Sequence, residues 1–160
     1  MKLTIKGHSN IFTLKSEQKL PISVSEAWGF FSSPENLAKI TPPEMNFTIT
    51  SGTPKKAYTG QIISYKVNVL KNIRTNWVTE ITCVEFEKYF IDEQRFGPYK
   101  MWHHEHFFEK TGNDSCNMID IVTYKLPLGF LGKLGHKVFI KKQLLRIFEY
   151  RSSILSDLFK

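Results

Sequence analysis

The chain has 160 residues, enough for one domain with its own core, and 41% of them are hydrophobic, as suits a globular protein. No run approaches the roughly 18 apolar residues of a membrane span, and MKLTIKGHSN at the start lacks the apolar stretch of a secretory leader. Cys83 and Cys116 make no CxxC pair, and the formal charge of +7 favours anionic partners while saying nothing of fold. The expectation is a soluble, cytoplasmic domain spanning 1–160, its cysteines kept as thiols in a reducing compartment. Aromatic residues make up 14%, 13 of them Phe, enough large apolar side chains to fill a dense core or line a pocket.

IFTLKSEQKL alternates: Phe12, Leu14, Ser16, Gln18 and Leu20 share one face of a half-buried strand. SVSEAWGFF follows. Ser23 with Glu26 three residues on fits a capping box, and Val24, Ala27, Trp28 and Phe31 form an apolar helical stripe. SPENLAKI restarts a short helix, with Ser33 to cap it and Pro34 at its first position; TPP at 41–43 ends it.

From Phe47 to Tyr124 the signal is β. FTIT is a short strand. QIISYKVNV, TNWVTEITCV, KYFIDEQRF, YKMWHHEHFFE and SCNMIDIVTY follow, joined by turn signals such as Gly97-Pro98 and Thr111–Asp114. LPLGFLG at 126–132 reads as a loop. The rest, from 133 to 159, reads as one long helix whose stripe runs through Ile140, Leu144, Ile147, Phe148, Leu155 and Phe159. Arg151 interrupts that stripe, so it is a rim residue or a buried charge with a partner. From 131 to 160 seven Lys and Arg stand against Glu149 and Asp157, a surplus of five. The simpler reading is a solvated helix face; nucleic acid or an anionic membrane is the alternative.

The order is strand, two short helices, a meander of strands and a long C-terminal helix. A sheet with one apolar face must cover it, and only the last helix is long enough. This arrangement resembles the START-like superfamily, also called SRPBCC, with its helix-grip fold. The residues that carry the resemblance cover nearly the whole chain: LPISVSEAWGFFSSPENLAKITPPEM at 20–45, FIDEQRFGPYKMWHHEHFF at 90–108, D.V.YKLPLG at 120–129 and IFEYR at 147–151. Within the superfamily they look like bacterial ligand-binding proteins labelled cyclase/dehydrase-like or cell-division-inhibitor-like. The resemblance implies an α+β fold: a curved antiparallel sheet of six to seven strands around the C-terminal helix, two short helices after strand 1, and an apolar cavity between sheet and helix. A small hydrophobic molecule, lipid-like or aromatic, would occupy that cavity, entering near the 127–132 loop and the short helices.

WHHEHFF at 102–108 is the most unusual stretch. Strand side chains alternate, so Trp102, His104, His106 and Phe108 share one face and His103 and Glu105 the other. The three histidines therefore cannot converge on one metal. An H-x-H pair needs a further ligand, for which Asp120 is the candidate, and a one-residue register change would turn Asp120 away. No third and fourth ligand is spaced for a metal, and neither metal nor cofactor is expected. The expected reading is a polar cluster lining the cavity. Asp92 joins it if it faces inward. Trp77 and Trp102 are candidate walls, and Tyr65 and Tyr124 candidate phenol donors.

The expected ligand-binding residues are Trp77, Asp92, Trp102, His104, His106, Asp120 and Tyr124. The expected function is a non-catalytic carrier or sensor of a small hydrophobic or amphipathic molecule. The alternative is a polyketide cyclase/dehydrase-like enzyme, with His104, His106, Asp92 or Asp120 as general acid/base. No G-x-S-x-G, H-E-x-x-H or P-loop is present to suggest another chemistry.

Overall fold

A computed structural model of the chain describes residues 1–52, 56–70, 73–127 and 139–160. The strands are β1 Lys2–His8, β2 Ile11–Leu20, β3 Thr48–Ile49, β4 Gln61–Leu70, β5 Ile73–Glu85, β6 Tyr89–Phe96, β7 Met101–Gly112 and β8 Ser115–Lys125. The helices are α1 Val24–Phe31 and α2 Lys141–Leu158. All eight strands form one antiparallel sheet in the order β1-β2-β8-β7-β6-β5-β4-β3.

The sheet has one strand more than the upper expectation. The additional strand is β1, in a segment read at first only as polar. Its alternation is weak: Leu3 and Ile5 are half-buried and the rest exposed, the pattern of an edge strand with little to bury. A two-residue turn at Ser9-Asn10, both at positive φ, folds β1 onto β2. β2 then pairs with β8, so the first long strand lies beside the last. Leu14, Ser16, Gln18 and Leu20 of β2 are buried, as the period-two pattern requires.

α1 begins where expected. Its cap is Ser23, whose hydroxyl accepts the Glu26 N–H at 3.2 Å. Ala27 and Trp28 are buried on its inner face. The second short helix is reduced to a 3-10 turn, Pro34–Ala38, and Ser33 does not cap it: its hydroxyl donates back to Gly29 O at 3.1 Å. Capping is thus lost to the Gly29 carbonyl near the end of α1, one turn away. A second 3-10 turn, Pro43–Met45, leads to β3.

β-bulges interrupt the β4–β5, β5–β6 and β7–β8 ladders, the devices that bend a sheet. Gly97 serves the β6–β7 turn, because the Gln94 side chain folds over it and a Cβ there would lie 2.5 Å from Gln94 Oε1. Gln94 ties the turn at both ends, donating to Tyr99 O at 2.6 Å and accepting Tyr99 N–H at 3.1 Å.

α2 lies in the concavity of the sheet with Leu144, Phe148, Arg151 and Leu155 buried, a spacing that repeats one face over its length. The expected start of this helix and the LPLGFLG loop from 128 on lie outside the described residues. Two apolar clusters fill the space between sheet and helices. One gathers Trp28, Phe90, Phe108, Met118 and Leu155 near α1; the other gathers Leu14, Trp77, Tyr99, Tyr124 and Phe148.

Candidate functional site

Between the two clusters the inner face of the sheet turns polar. His104 and His106 are two apart on β7, so both point inward. Across one ladder Asp92 of β6 pairs with His104; across the other Asp120 of β8 pairs with His106. Cross-strand partners share a face, so four ionisable groups meet. Arg151 comes down from α2 on top of them.

The tightest contacts run diagonally. His104 Nε2 lies 2.9 Å from Asp120 Oδ1, and His106 Nε2 lies 2.7 Å from Asp92 Oδ2. The second nitrogen of each ring faces the other carboxylate: His104 Nδ1 is 3.6 Å from Asp92 Oδ2, and His106 Nδ1 is 3.0 Å from Asp120 Oδ1. The two imidazole rings stand 3.7 Å apart between centroids, and Phe90 stacks on His106 at 4.1 Å. Arg151 reaches Asp120 Oδ1 at 3.3 Å, while its guanidinium lies over the rings of Phe31 and Phe148. The interruption of the helical stripe is therefore a buried charge with a partner.

Burial alone would raise the Asp120 carboxyl, but Arg151 and the two facing imidazoles hold it well below the usual carboxylate range. Burial and the neighbouring His106 push His104 down, against the pull of the two carboxylates. At His106 burial acts in the same sense, yet the facing carboxylates of Asp120 and Asp92 outweigh it and the net shift is upward. The two imidazoles are thus shifted in opposite directions, the kind of separation that acid–base sites use.

His103 behaves as alternation demands. It sits on the outer face with Nδ1 at 2.9 Å from Glu93 Oε1, beside an exposed Glu93–Arg95–Glu80 ion network.

The polar group opens into a cavity of about 210 Å³ between sheet, α2 and the segment after α1. Of the expected site residues, Trp77, Asp92, Trp102, His104 and His106 line it. Asp120 does not; it stands behind the histidines, 3% exposed. Tyr124 is wholly buried, stacked on Phe12 at 5.6 Å and packed edge-on to Tyr99. Tyr65 lines the cavity, its hydroxyl bonded to Thr79 Oγ1 at 3.1 Å. Sequence reasoning missed the far wall, made by Phe31, Ile40, Met45 and Phe47 with Gln143 of α2. Phe31 belongs to the α1 stripe, but Ile40, Met45 and Phe47 fall in segments with no clean periodicity.

Buried polar atoms are normally paired. Among the described residues five side chains carry one that is not: Ser32 Oγ, Trp77 Nε1, His106 Nδ1, Gln143 Oε1 and Arg151 Nε. All five residues line the cavity.

No family model and no curated protein sequence matches the chain. Solved structures do. The Zhui aromatase/cyclase from Streptomyces sp. R1128 superimposes with a TM-score of 0.71 at 10% identity, over 91% of this chain and 91% of that one. A START superfamily protein from Mycobacterium smegmatis gives 0.68 at 12% identity, over 91% and 98%. Norcoclaurine synthase from Thalictrum flavum, in complex with dopamine and hydroxybenzaldehyde, gives 0.63 at 16% identity, over 98% and 96%. The chain has the START-like fold. Within that class it is a helix-grip domain of eight strands, and no helix among the described residues is long and apolar enough to cross a membrane.

Proposed function

We propose that the protein binds a small amphipathic molecule in the cavity between sheet and α2, as a carrier or sensor. The single observation behind this reading is the coincidence of the unpaired buried polar atoms with the cavity wall. An apolar body would pack against Trp77, Trp102 and Phe47. Its polar group would meet the Asp92–His104–His106 end, where Arg151 also presents a free N–H. Pockets of this kind use apolar walls for affinity and a few convergent polar groups for orientation. The aromatase/cyclase, START and norcoclaurine synthase structures support the reading by fold alone.

Native mass spectrometry of the purified protein, followed by denaturing extraction, tests it. A stoichiometric apolar or amphipathic molecule is the expected result. An empty protein that gains no thermal stability from a panel of lipids and aromatic polyketides overturns it.

A second reading has its own support. Two imidazoles shifted in opposite directions beside two carboxylates form an acid–base pair, and both histidines line the cavity. A polyketide cyclase-like reaction would use one as base and the other as acid. Turnover with a bell-shaped pH profile, lost in His104→Ala, would establish it; full turnover in that variant would remove it.

A further inference from the structure

We propose that Asp92, His104 and His106 form a binding site for a first-row divalent metal ion, zinc being the best match, with Asp120 and Arg151 as the support behind it. The site lies at the polar end of the cavity in the proposed function, but the two readings are separable: the cavity can hold an apolar molecule whether or not a metal is present.

The first argument is proton counting. Four ring nitrogens face two carboxylate oxygens, two to each. Two neutral imidazoles carry only two N–H groups. Two of the four facing pairs would then oppose lone pair to lone pair. A cation between Asp92 Oδ2, His104 Nδ1 and His106 Nε2 resolves this. Those two nitrogens become unprotonated ligands, and the protons move to His104 Nε2 and His106 Nδ1, both of which face Asp120 Oδ1. His106 Nδ1, now 3.0 Å from that oxygen but unbonded, then acquires a proton to donate.

The second argument is geometry. One ligand atom from each of Asp92, His104 and His106 lies within 4.8 Å of the others. Zinc–ligand bonds of 2.0–2.1 Å in a tetrahedron put donor atoms about 3.3 Å apart. The Asp92 oxygen is 2.7 Å from one nitrogen and 3.6 Å from the other, so small shifts reach that spacing. Spacing in the sequence offered Asp120 as the third ligand; the register supplies Asp92 in that role and puts Asp120 behind the rings. Metal-bound histidines normally give their other N–H to a carboxylate, and here one carboxylate oxygen serves both rings, itself held by Arg151.

The third argument is charge. Asp92 and Asp120 against Arg151 leave one negative charge, on side chains only 4 to 15% exposed. Buried charge needs a counter-charge. Three protein ligands leave the ion an open position toward the cavity, suited to water or to a carbonyl or carboxylate oxygen of a bound molecule.

The test uses the full chain, stripped with a chelator and titrated with Zn²⁺ against a coloured competing chelator, and with Co²⁺ by visible absorption. One equivalent is expected, with cobalt d–d bands and no thiolate charge-transfer band. His106→Gln and Asp92→Asn should each weaken zinc binding at least tenfold. Asp120→Asn should weaken it roughly 10–100-fold. His103→Ala, on the outer face, should leave it unchanged. Failure to bind an equivalent of either ion overturns the proposal and leaves a proton on an imidazole as the counter-charge. A thiolate band, or equal affinity in His106→Gln, also overturns it by putting the ion elsewhere. Should a variant fail to fold, paramagnetic shifts of the His104 and His106 ring resonances in the cobalt-loaded native chain decide the matter; unshifted rings overturn it. A chain that binds an organic ligand but no metal refutes this site and leaves the cavity reading intact.

Discussion

Two regions of the same inner sheet face lie side by side and could hardly differ more. Under α1, Phe90, Phe108 and Met118 pack with Trp28, whose ring meets Phe90 and Phe108 edge-on at 6.0 and 5.6 Å. One step of two residues along each of those three strands reaches Asp92, His106 and Asp120. The backbone is equally regular in both places. What changes is how the side chains are satisfied. The aromatic region is complete in itself, since apolar contacts have no direction and need only volume to be filled. The polar region needs each donor matched to an acceptor, and it leaves His106 Nδ1 and Arg151 Nε without a hydrogen bond. The first region supplies packing; the capacity to recognise something else lies in the second.

The sharpest way to break this contrast is an isosteric change in the polar region. Asp120→Asn keeps the volume but removes the charge that faces Arg151 and both imidazoles. Removing one member of a buried ion pair costs about 3–5 kcal/mol. Urea unfolding of the chelator-treated protein should show that loss; a loss within about 0.5 kcal/mol would mean that the pair is hydrated and the region not truly buried.

Next in size is an alkaline effect. Burial raises the phenols of Tyr65, Tyr99 and Tyr124, helped at Tyr65 by the Asp92 charge, which the Thr79 hydrogen bond only partly offsets. A phenol whose folded value is raised favours the native state fully below the unfolded value near 10 and loses that contribution as the pH climbs above it. Stability should therefore fall above about pH 10, by about 1.4 kcal/mol per pH unit for each phenol held protonated. Unfolding midpoints at pH 8 and 11, with ultraviolet titration of the native chain, check this. Phenols that all ionise together without unfolding would count against the burial.

A smaller effect is expected from Leu155→Met in the aromatic region. Leu155 is 2% exposed, but the swap conserves volume, so the cost should stay below about 1.5 kcal/mol by the same unfolding assay. A cost equal to that of Asp120→Asn would erase the distinction between the two regions.

The smallest effect concerns reactivity. Cys116 is fully buried, its thiol pushed up by burial and by Glu26, whereas Cys83 is half-buried. Iodoacetamide should label Cys83 first in the native protein, read by peptide mass spectrometry. Equal labelling would show β8 opening as readily as β5.

Local pattern carried the elements and their faces. Alternation put Leu14, Ser16 and Gln18 inward on β2, separated His103 from His104 and His106, and marked Arg151 as an anomaly in the α2 stripe. These depend only on periods of 2 and 3.6, which neighbouring residues impose on one another. β1 was invisible because an edge strand buries too little to need a pattern. The part of the cavity wall at Ile40, Met45 and Phe47 was equally hidden, because loops and 3-10 turns have no period.

The site itself was decided by register. The β7–β8 ladder slips between Lys110 and Gly112, beside the turn. Without that one-residue shift Asp120 would stand opposite Phe107, on the outer face, and the histidines would lose their shared carboxylate. The same holds across β6, where pairing with His104 turns Asp92 inward. Sequence alone thus determined which residues could face the interior, since that follows from each strand separately. Only the tertiary structure decided which carboxylate meets which imidazole, and that Arg151 closes over them, because these contacts join residues 12 to 31 apart, across a β7–β8 bulge whose position no local pattern fixes.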